Sequence, residues 1–171
     1  MNDRLKTIVD LDKYPIHDLN SPIIKNLIKN CKEELNQHSC STIPNFILPK
    51  ALNVMNHELE EQLDEVYMSK ESINAYLYAK DDPSLPKDHP KRTFMNRYNG
   101  YLNSDCFPKD SEMKYLYETE ELLKFVSACL GISPIYRWAD PLACHAYNVM
   151  KPDGVLPWHF DSCEFTLSLM I

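Results

Sequence analysis

The chain keeps two hydrophobic rhythms apart, and that separation limits its fold more than any single motif does. In "NSPIIKNLIKNCKEELNQ", Asn20 or Ser21 stands as a cap and Pro22 falls in the first turn. Ile23, Ile24, Leu27, Ile28, Cys31 and Leu35 then recur as one helical stripe. "KALNVMNHELEEQLDEVYM" predicts a second amphipathic helix, with Leu52, Met55, Leu59, Leu63 and Val66 inward. "SEMKYLYETEELLKFVSACLG" predicts one or two more, stopped by Gly131. Beyond residue 134 the character changes. "PIYRWAD", "CHAYNVM" and "EFTLSLMI" are rich in strand formers, and "KPDGV" supplies a hairpin-like turn. Helices followed by mainly antiparallel strands predict the α+β class. "STIPNFIL" and "INAYLYA" are candidates for short additional strands, whereas residues 80–112 read as a long, proline-punctuated loop. The expected organisation is a single domain over 1–171, mainly helical over 1–134 and β-rich over 135–171. Only three glycines stand against twelve prolines, so turns here lean on Pro, Asn and Asp.

A formal charge of −7 argues against a nucleic-acid partner, whose phosphates are met by basic side chains. The one basic cluster, "KDHPKR", is short and carries its own aspartate. Six cysteines lack any C-x-x-C spacing, and "MNDRLKTIVDLDKYP" contains no apolar signal region. No stretch approaches 18 apolar residues, so no membrane span is expected. Reduced thiols in a soluble, cytoplasmic protein follow.

Three patterns bear on chemistry. "HELEE" (His57–Glu61) lacks the second histidine, one helical turn on, that a zinc-protease helix requires. A zinc site from Cys144, His145, His159 and Cys163 lacks knuckle spacing, and Cys144 and His145 would point to opposite faces of a strand. The third pattern is His159-x-Asp161 in "LPWHFDSCEFTLSLMI". On an extended segment, residues two apart point to one side, so an imidazole and a carboxylate can converge on one metal ion. With a second histidine, such a pair forms the facial triad of non-haem Fe(II) oxygenases. The other use of the same pair is a plain surface His–Asp hydrogen bond.

"VDLDKYPIHDLNSP", "KDDPSLPKDHPKRTF" with "RYNGY", and "YRWADP", "YNVMKPDG" and "PWHFDSCEFTLSL" together resemble one family across essentially the whole chain. It is the Fe(II)/2-oxoglutarate-dependent oxygenases that hydroxylate or halogenate free amino acids, including the lysine halogenases. The resemblance implies a distorted jelly-roll (double-stranded β-helix) core wrapped by N-terminal helices. It implies Fe(II), with 2-oxoglutarate and O₂ as cosubstrates and a free amino acid or similar small molecule as substrate. His159 and Asp161 resemble the first two iron ligands, Asn148 a residue lining the cosubstrate site, and Arg97 a group that holds a substrate carboxylate. Arginine's planar fork suits that task; the other reading of Arg97 is a surface loop arginine. Trp158 is a candidate substrate contact, and with Phe160 and Phe165 a candidate shield against bulk water. Halogenases of this group carry a small residue in place of the carboxylate, so Asp161 implies hydroxylation.

The family's distal histidine and the basic residue that binds 2-oxoglutarate would both lie beyond Ile171. "TLSLMI" would moreover leave an apolar strand with an unpaired edge. The expectation is therefore an N-terminal fragment of a longer dioxygenase, in which "FTLSLMI" is the first barrel strand after the ligands. The alternative is a catalytically inactive jelly-roll-like binding module that keeps the pair as ordinary polar residues.

Overall fold

The computed structural model describes residues 3–171, which form two compact units of mixed helix and antiparallel sheet. The α+β class stands. The first unit joins the N-terminal 61 residues to Ser104–His145, and the second joins Gln62–Asn103 to Ala146–Ile171.

The first unit is built on five helices: α1 (Leu5–Ile8), α2 (Pro22–His38), α3 (Pro49–Glu60), α4 (Glu112–Glu118) and α5 (Glu120–Leu130). Helix α2 starts where the sequence places it. The Ser21 hydroxyl accepts the Ile24 N–H, Pro22 takes the first turn, and the helix runs to a left-handed Ser39. Ile24 and Cys31 are buried on its inner stripe, but Ile23 is 55% exposed, because it lies about 100° round the helix from Ile24. Gly131 ends α5 at φ 70°, a conformation that needs no Cβ penalty only in glycine. Helix α2 packs on α5, and α1 packs on α3 and α4. Cys31 and Cys129 meet across the α2–α5 interface; the hydrogen bond from Cys129 draws the Cys31 thiol down to about 6, and the same bond pushes Cys129 up. Phe46 lies flat against Phe125, and Val9 pairs with Ile47 as a single β-bridge, the remnant of the strand expected in "STIPNFIL".

The second unit is a three-stranded antiparallel sheet in the order β1 (Tyr67–Asn74), β2 (Phe94–Leu102), β3 (Tyr147–Val149). Tyr67 opposes Tyr101, Asn74 opposes Phe94, and Leu102 opposes Tyr147. Central β2 lies inside the stretch expected to be a structureless loop. Its alternation is masked by polar residues on both faces, since Asn96, Arg97 and Asn99 occupy positions that a simple apolar pattern would fill. The second helix is shorter than its periodicity predicts: α3 stops at Glu60, Leu63 is 50% exposed, and Val66 leads into β1.

Two further expectations fail. "PIYRWAD" contains no strand, and neither does "EFTLSLMI". Strand-forming side chains do not make a strand without a neighbour for its backbone groups, and no described residue pairs with 161–171. Phe165 and Leu167 consequently face solvent. No described helix is long and apolar enough to cross a membrane.

Gly100 is fully enclosed at the centre of β2. A Cβ there would stand 2.5 Å from Val66 Cγ1 and 2.6 Å from Met68 Sδ. Methionine can swing away, but the β-branched valine has one comfortable rotamer. Gly100→Ala is expected to cost about 1–3 kcal/mol of unfolding free energy in urea denaturation; an unchanged midpoint would contradict this packing.

Candidate functional site

One buried carboxamide organises the end of the sheet. Asn74, the last residue of β1, is 1% exposed. Its Oδ1 accepts the backbone N–H groups of Tyr76 (2.9 Å) and Tyr78 (3.2 Å), and its Nδ2 donates to the Lys91 carbonyl at 2.6 Å. The backbone repeats the closure, with Asn74 N–H to Tyr78 O and Leu77 N–H to Asn74 O. Asparagine is suited to this place because one side chain both accepts and donates. The turn it fixes presents the Ala75 carbonyl, which accepts the Phe160 N–H at 2.8 Å, while the Phe160 ring packs on Tyr76 at 5.2 Å.

Phe160 lies between His159 and Asp161, so the clamp holds the backbone of the sequence-predicted pair. The two side chains do converge: His159 Nε2 lies 3.2 Å from Asp161 Oδ1. The hydrogen bonds behind them set their chemistry. His159 Nδ1 is 2.8 Å from the Pro157 carbonyl, which only accepts, so Nδ1 carries a proton. Thr166 Oγ1 donates to Asp161 Oδ2 at 2.5 Å, leaving Oδ1 as the free carboxylate oxygen. Nε2 therefore faces Oδ1 either as a second N–H donor or as a lone pair, and two facing lone pairs need a cation between them. Two donors each about 2.1 Å from an ion and at right angles to one another stand about 3.0 Å apart. The observed 3.2 Å fits that bite. A carbonyl that accepts from the far ring nitrogen, as Pro157 O does here, is also what fixes the tautomer of metal-ligating imidazoles.

The pair supplies two donors. No group of three or more His, Cys, Asp or Glu side chains is gathered to hold a metal ion among the described residues. The aromatic shield expected around the pair is not formed either. Trp158 is 89% exposed and Phe160 63%, because each has a neighbour on at most one side of this outer segment.

Arg97 and Asn148 lie on the sheet itself. Arg97 belongs to β2, not to a surface loop, and its side chain is 14% exposed. Nη2 donates to Ser69 Oγ at 2.9 Å and lies 3.4 Å from Glu71 Oε1, while Nε is buried without a partner. Directly opposed residues in an antiparallel pair share a face. Arg97 opposes Glu71, Asn99 opposes Ser69, and Asn148 opposes Tyr101, so one face collects all of these polar groups. Asn99 Nδ2 donates to Asn148 Oδ1 at 2.8 Å, which leaves Asn99 Oδ1 buried and unpartnered. The hydrogen bonds of Arg97 and Asn148 run to one another's neighbours on the sheet, not to His159 or Asp161. Ser69, Glu71 and Asn99 were not singled out by sequence, because their shared face follows from a strand pairing that no local pattern announces.

In the first unit, Cys144 and His145 precede β3 in a turn and do not lie on a strand. Their side chains therefore meet, with Cys144 Sγ 3.1 Å from His145 Nδ1, where alternation predicts opposite faces. Burial and the nearby Lys114 cation hold the His145 imidazole below the ordinary histidine value, against a smaller pull from Glu118. His57 lies on an exposed face of α3 among Glu60 and Glu61, as a helix-surface residue.

No protein-family model, no curated protein and no solved structure matches the chain.

Two outcomes follow from these geometries. Asn74→Leu removes the side-chain partner of two N–H groups and one carbonyl at the buried end of β1, so urea unfolding is expected to show a loss of about 1–3 kcal/mol. For His145, the folded state binds its proton at lower pH than the unfolded chain, whose histidines titrate near 6.5. As pH falls through 6.5 the unfolded state takes up the proton first, so stability is lost on acidification until the folded imidazole also titrates. His145→Phe is expected to lose less stability than the wild type between about pH 7.5 and 5.5; parallel pH profiles would refute this burial effect.

Proposed function

We propose that these residues belong to an Fe(II)- and 2-oxoglutarate-dependent dioxygenase that hydroxylates a free amino acid or similar small molecule. The observation that carries the proposal is the His159–Asp161 pair, with Nδ1 committed to Pro157 O and Oδ2 to Thr166. The sheet of the second unit stands, on this proposal, for the first strands of the jelly-roll core. The proposal further requires a third protein ligand and a basic residue for 2-oxoglutarate beside this pair.

His159 Nε2 and Asp161 Oδ1 would hold the iron. Bound iron supplies activation of O₂, coupled to oxidation of 2-oxoglutarate. The protein's own residues have three tasks. The Pro157 carbonyl keeps the imidazole in the tautomer whose Nε2 points at the ion. Thr166 and the Phe160–Ala75 hydrogen bond keep Asp161 and the lip backbone in register. Arg97, with a free Nε–H on a polar sheet face, offers a donor for a substrate carboxylate, and Asn148 neighbours it through Asn99. A carboxylate at position 161 occupies the place a halide would need, which favours hydroxylation. Trp158, fully open to solvent, is free to close on a small substrate.

The first test uses Co(II) as a redox-silent probe of the chain under anaerobic conditions. Weak binding is expected, because two donors form only one chelate ring. His159→Ala and Asp161→Ala are each expected to weaken it at least about tenfold. Equal affinity in Asp161→Ala and wild type would sink the metal-site assignment and favour the inactive binding module. In a chain that also carries a distal histidine, Asp161→Ala is expected to abolish succinate formation with the fold intact.

A further inference from the structure

A second chemical site lies in the first unit, on residues that the iron proposal does not use. Cys144 Sγ sits 3.1 Å from His145 Nδ1, 3.4 Å from Ser104 Oγ and 3.8 Å from the Pro141 carbonyl. The Ser104 hydroxyl already donates to Leu142 O and accepts the His145 N–H, so the nearest strong acceptor for the thiol proton is His145 Nδ1. The imidazole ring is steadied between Phe107 at 6.5 Å and Tyr117 at 5.6 Å, and its Nε2 is buried with no partner. Desolvation keeps this imidazole neutral at rest, which is the form that can take a proton from sulfur.

Cysteine and histidine open onto a cavity of about 500 Å³. Its lining includes three cations, Lys109, Lys114 and Arg137, two anions, Asp105 and Glu118, and Trp138. Arg137 is already committed to Tyr117 O, Thr119 O and Glu120, so it does not tip this balance. Charges of both signs beside aromatic residues suit a small zwitterion. The thiolate is the nucleophile of sulfur chemistry, and a proton acceptor within hydrogen-bond reach is what raises its fraction.

We propose that Cys144 is a thiol-exchange site, at which a zwitterionic low-molecular-weight disulfide is captured as a mixed disulfide. His145 Nδ1 takes the Cys144 proton, and Sγ attacks one sulfur of R–S–S–R. The R–S–S–R bond breaks as the Cys144–S–S–R bond forms, and the departing thiolate collects the proton from His145. Cys144 is oxidised to the disulfide level, one RS group is reduced to RSH, and no other oxidant is consumed. The remaining thiols lack this arrangement. Cys40 and Cys163 are more exposed but have no adjacent imidazole, Cys106 stands beside the Asp105 carboxylate, and Cys31 and Cys129 are buried.

The experiment treats the fully reduced chain with oxidised glutathione near neutral pH, with acid quenching and peptide mass mapping of all six cysteines over time. Cys144 is expected to react first, about tenfold faster than Cys40 or Cys163. His145→Phe, which keeps a ring between Phe107 and Tyr117, is expected to bring Cys144 down to the Cys40 rate. Protection of Cys31 and Cys129 verifies in the same map that this variant is folded. If the variant unfolds, the wild-type ranking alone decides. The Cys144-to-Cys40 rate ratio is expected to be higher with oxidised glutathione than with the neutral bis(2-hydroxyethyl) disulfide. Cys144 reacting no faster than the exposed thiols would overturn the site, and equal ratios for the two disulfides would overturn its zwitterion preference.

Discussion

The buried carboxamide of Asn74 is the constraint on which the second unit turns. Three side-chain hydrogen bonds tie the end of β1 to the 75–78 turn and to the residues that lead into β2. Remove them and the Ala75 carbonyl is no longer fixed, and with it goes the hydrogen bond to Phe160. A polar group at 1% exposure is costly unless it is hydrogen-bonded, and Asn74 finds its three partners on the backbone alone. The geometry of His159 and Asp161 is thus inherited from a residue 85 positions earlier in the chain. An ion pair whose side chains are 23% and 46% exposed contributes little stability of its own. Its 3.2 Å separation is held by the backbone on either side of Phe160 and by the Pro157 and Thr166 bonds.

How much of this was legible in the sequence depends on the range of the interaction concerned. Ser21, Pro22 and Gly131 mark helix ends through bonds made within a few residues, and they read correctly. The convergence of His159 and Asp161 was legible from their i, i+2 spacing, although the bonds to Ala75, Pro157 and Thr166 that hold it were not. The central strand β2 was not, because its polar face is stabilised by Ser69 and Glu71 from another strand. "EFTLSLMI" shows the reverse error: strand propensity describes a side chain's fit to a pleated surface, and no partner strand is present to make that surface. Cys144 and His145 lie in a turn ahead of the strand that "CHAYNVM" predicts. Strand alternation assumed to begin at Cys144 begins at Tyr147, and within a turn neighbouring side chains can meet.

The structure distinguishes His159, Asp161 and Arg97 by a fixed tautomer, a 3.2 Å separation and an unfilled donor. Trp158, Phe160, Leu167 and Met170 on the same segment are all exposed. Orientation at this lip is therefore well defined, whereas exclusion of water is not.

The chain that leads from β3 to His159 does not run straight. After Val149 the chain leaves the sheet for five residues, closes a turn with Gly154 N–H to Lys151 O, and returns when Val155 and Tyr98 exchange two backbone hydrogen bonds of 2.7 Å. Gly154 is required there, since a Cβ would meet the Lys151 carbonyl at 2.9 Å. The excursion is clamped at both ends, by Gly100 opposite Val149 and by Tyr98 opposite Val155. A reporter group or a short insertion between Met150 and Asp153 would lengthen a loop whose anchors are already fixed, without altering the path on which His159 is delivered. For engineering purposes, this bulge is a socket: a place to attach a probe of the lip that leaves the lip itself untouched.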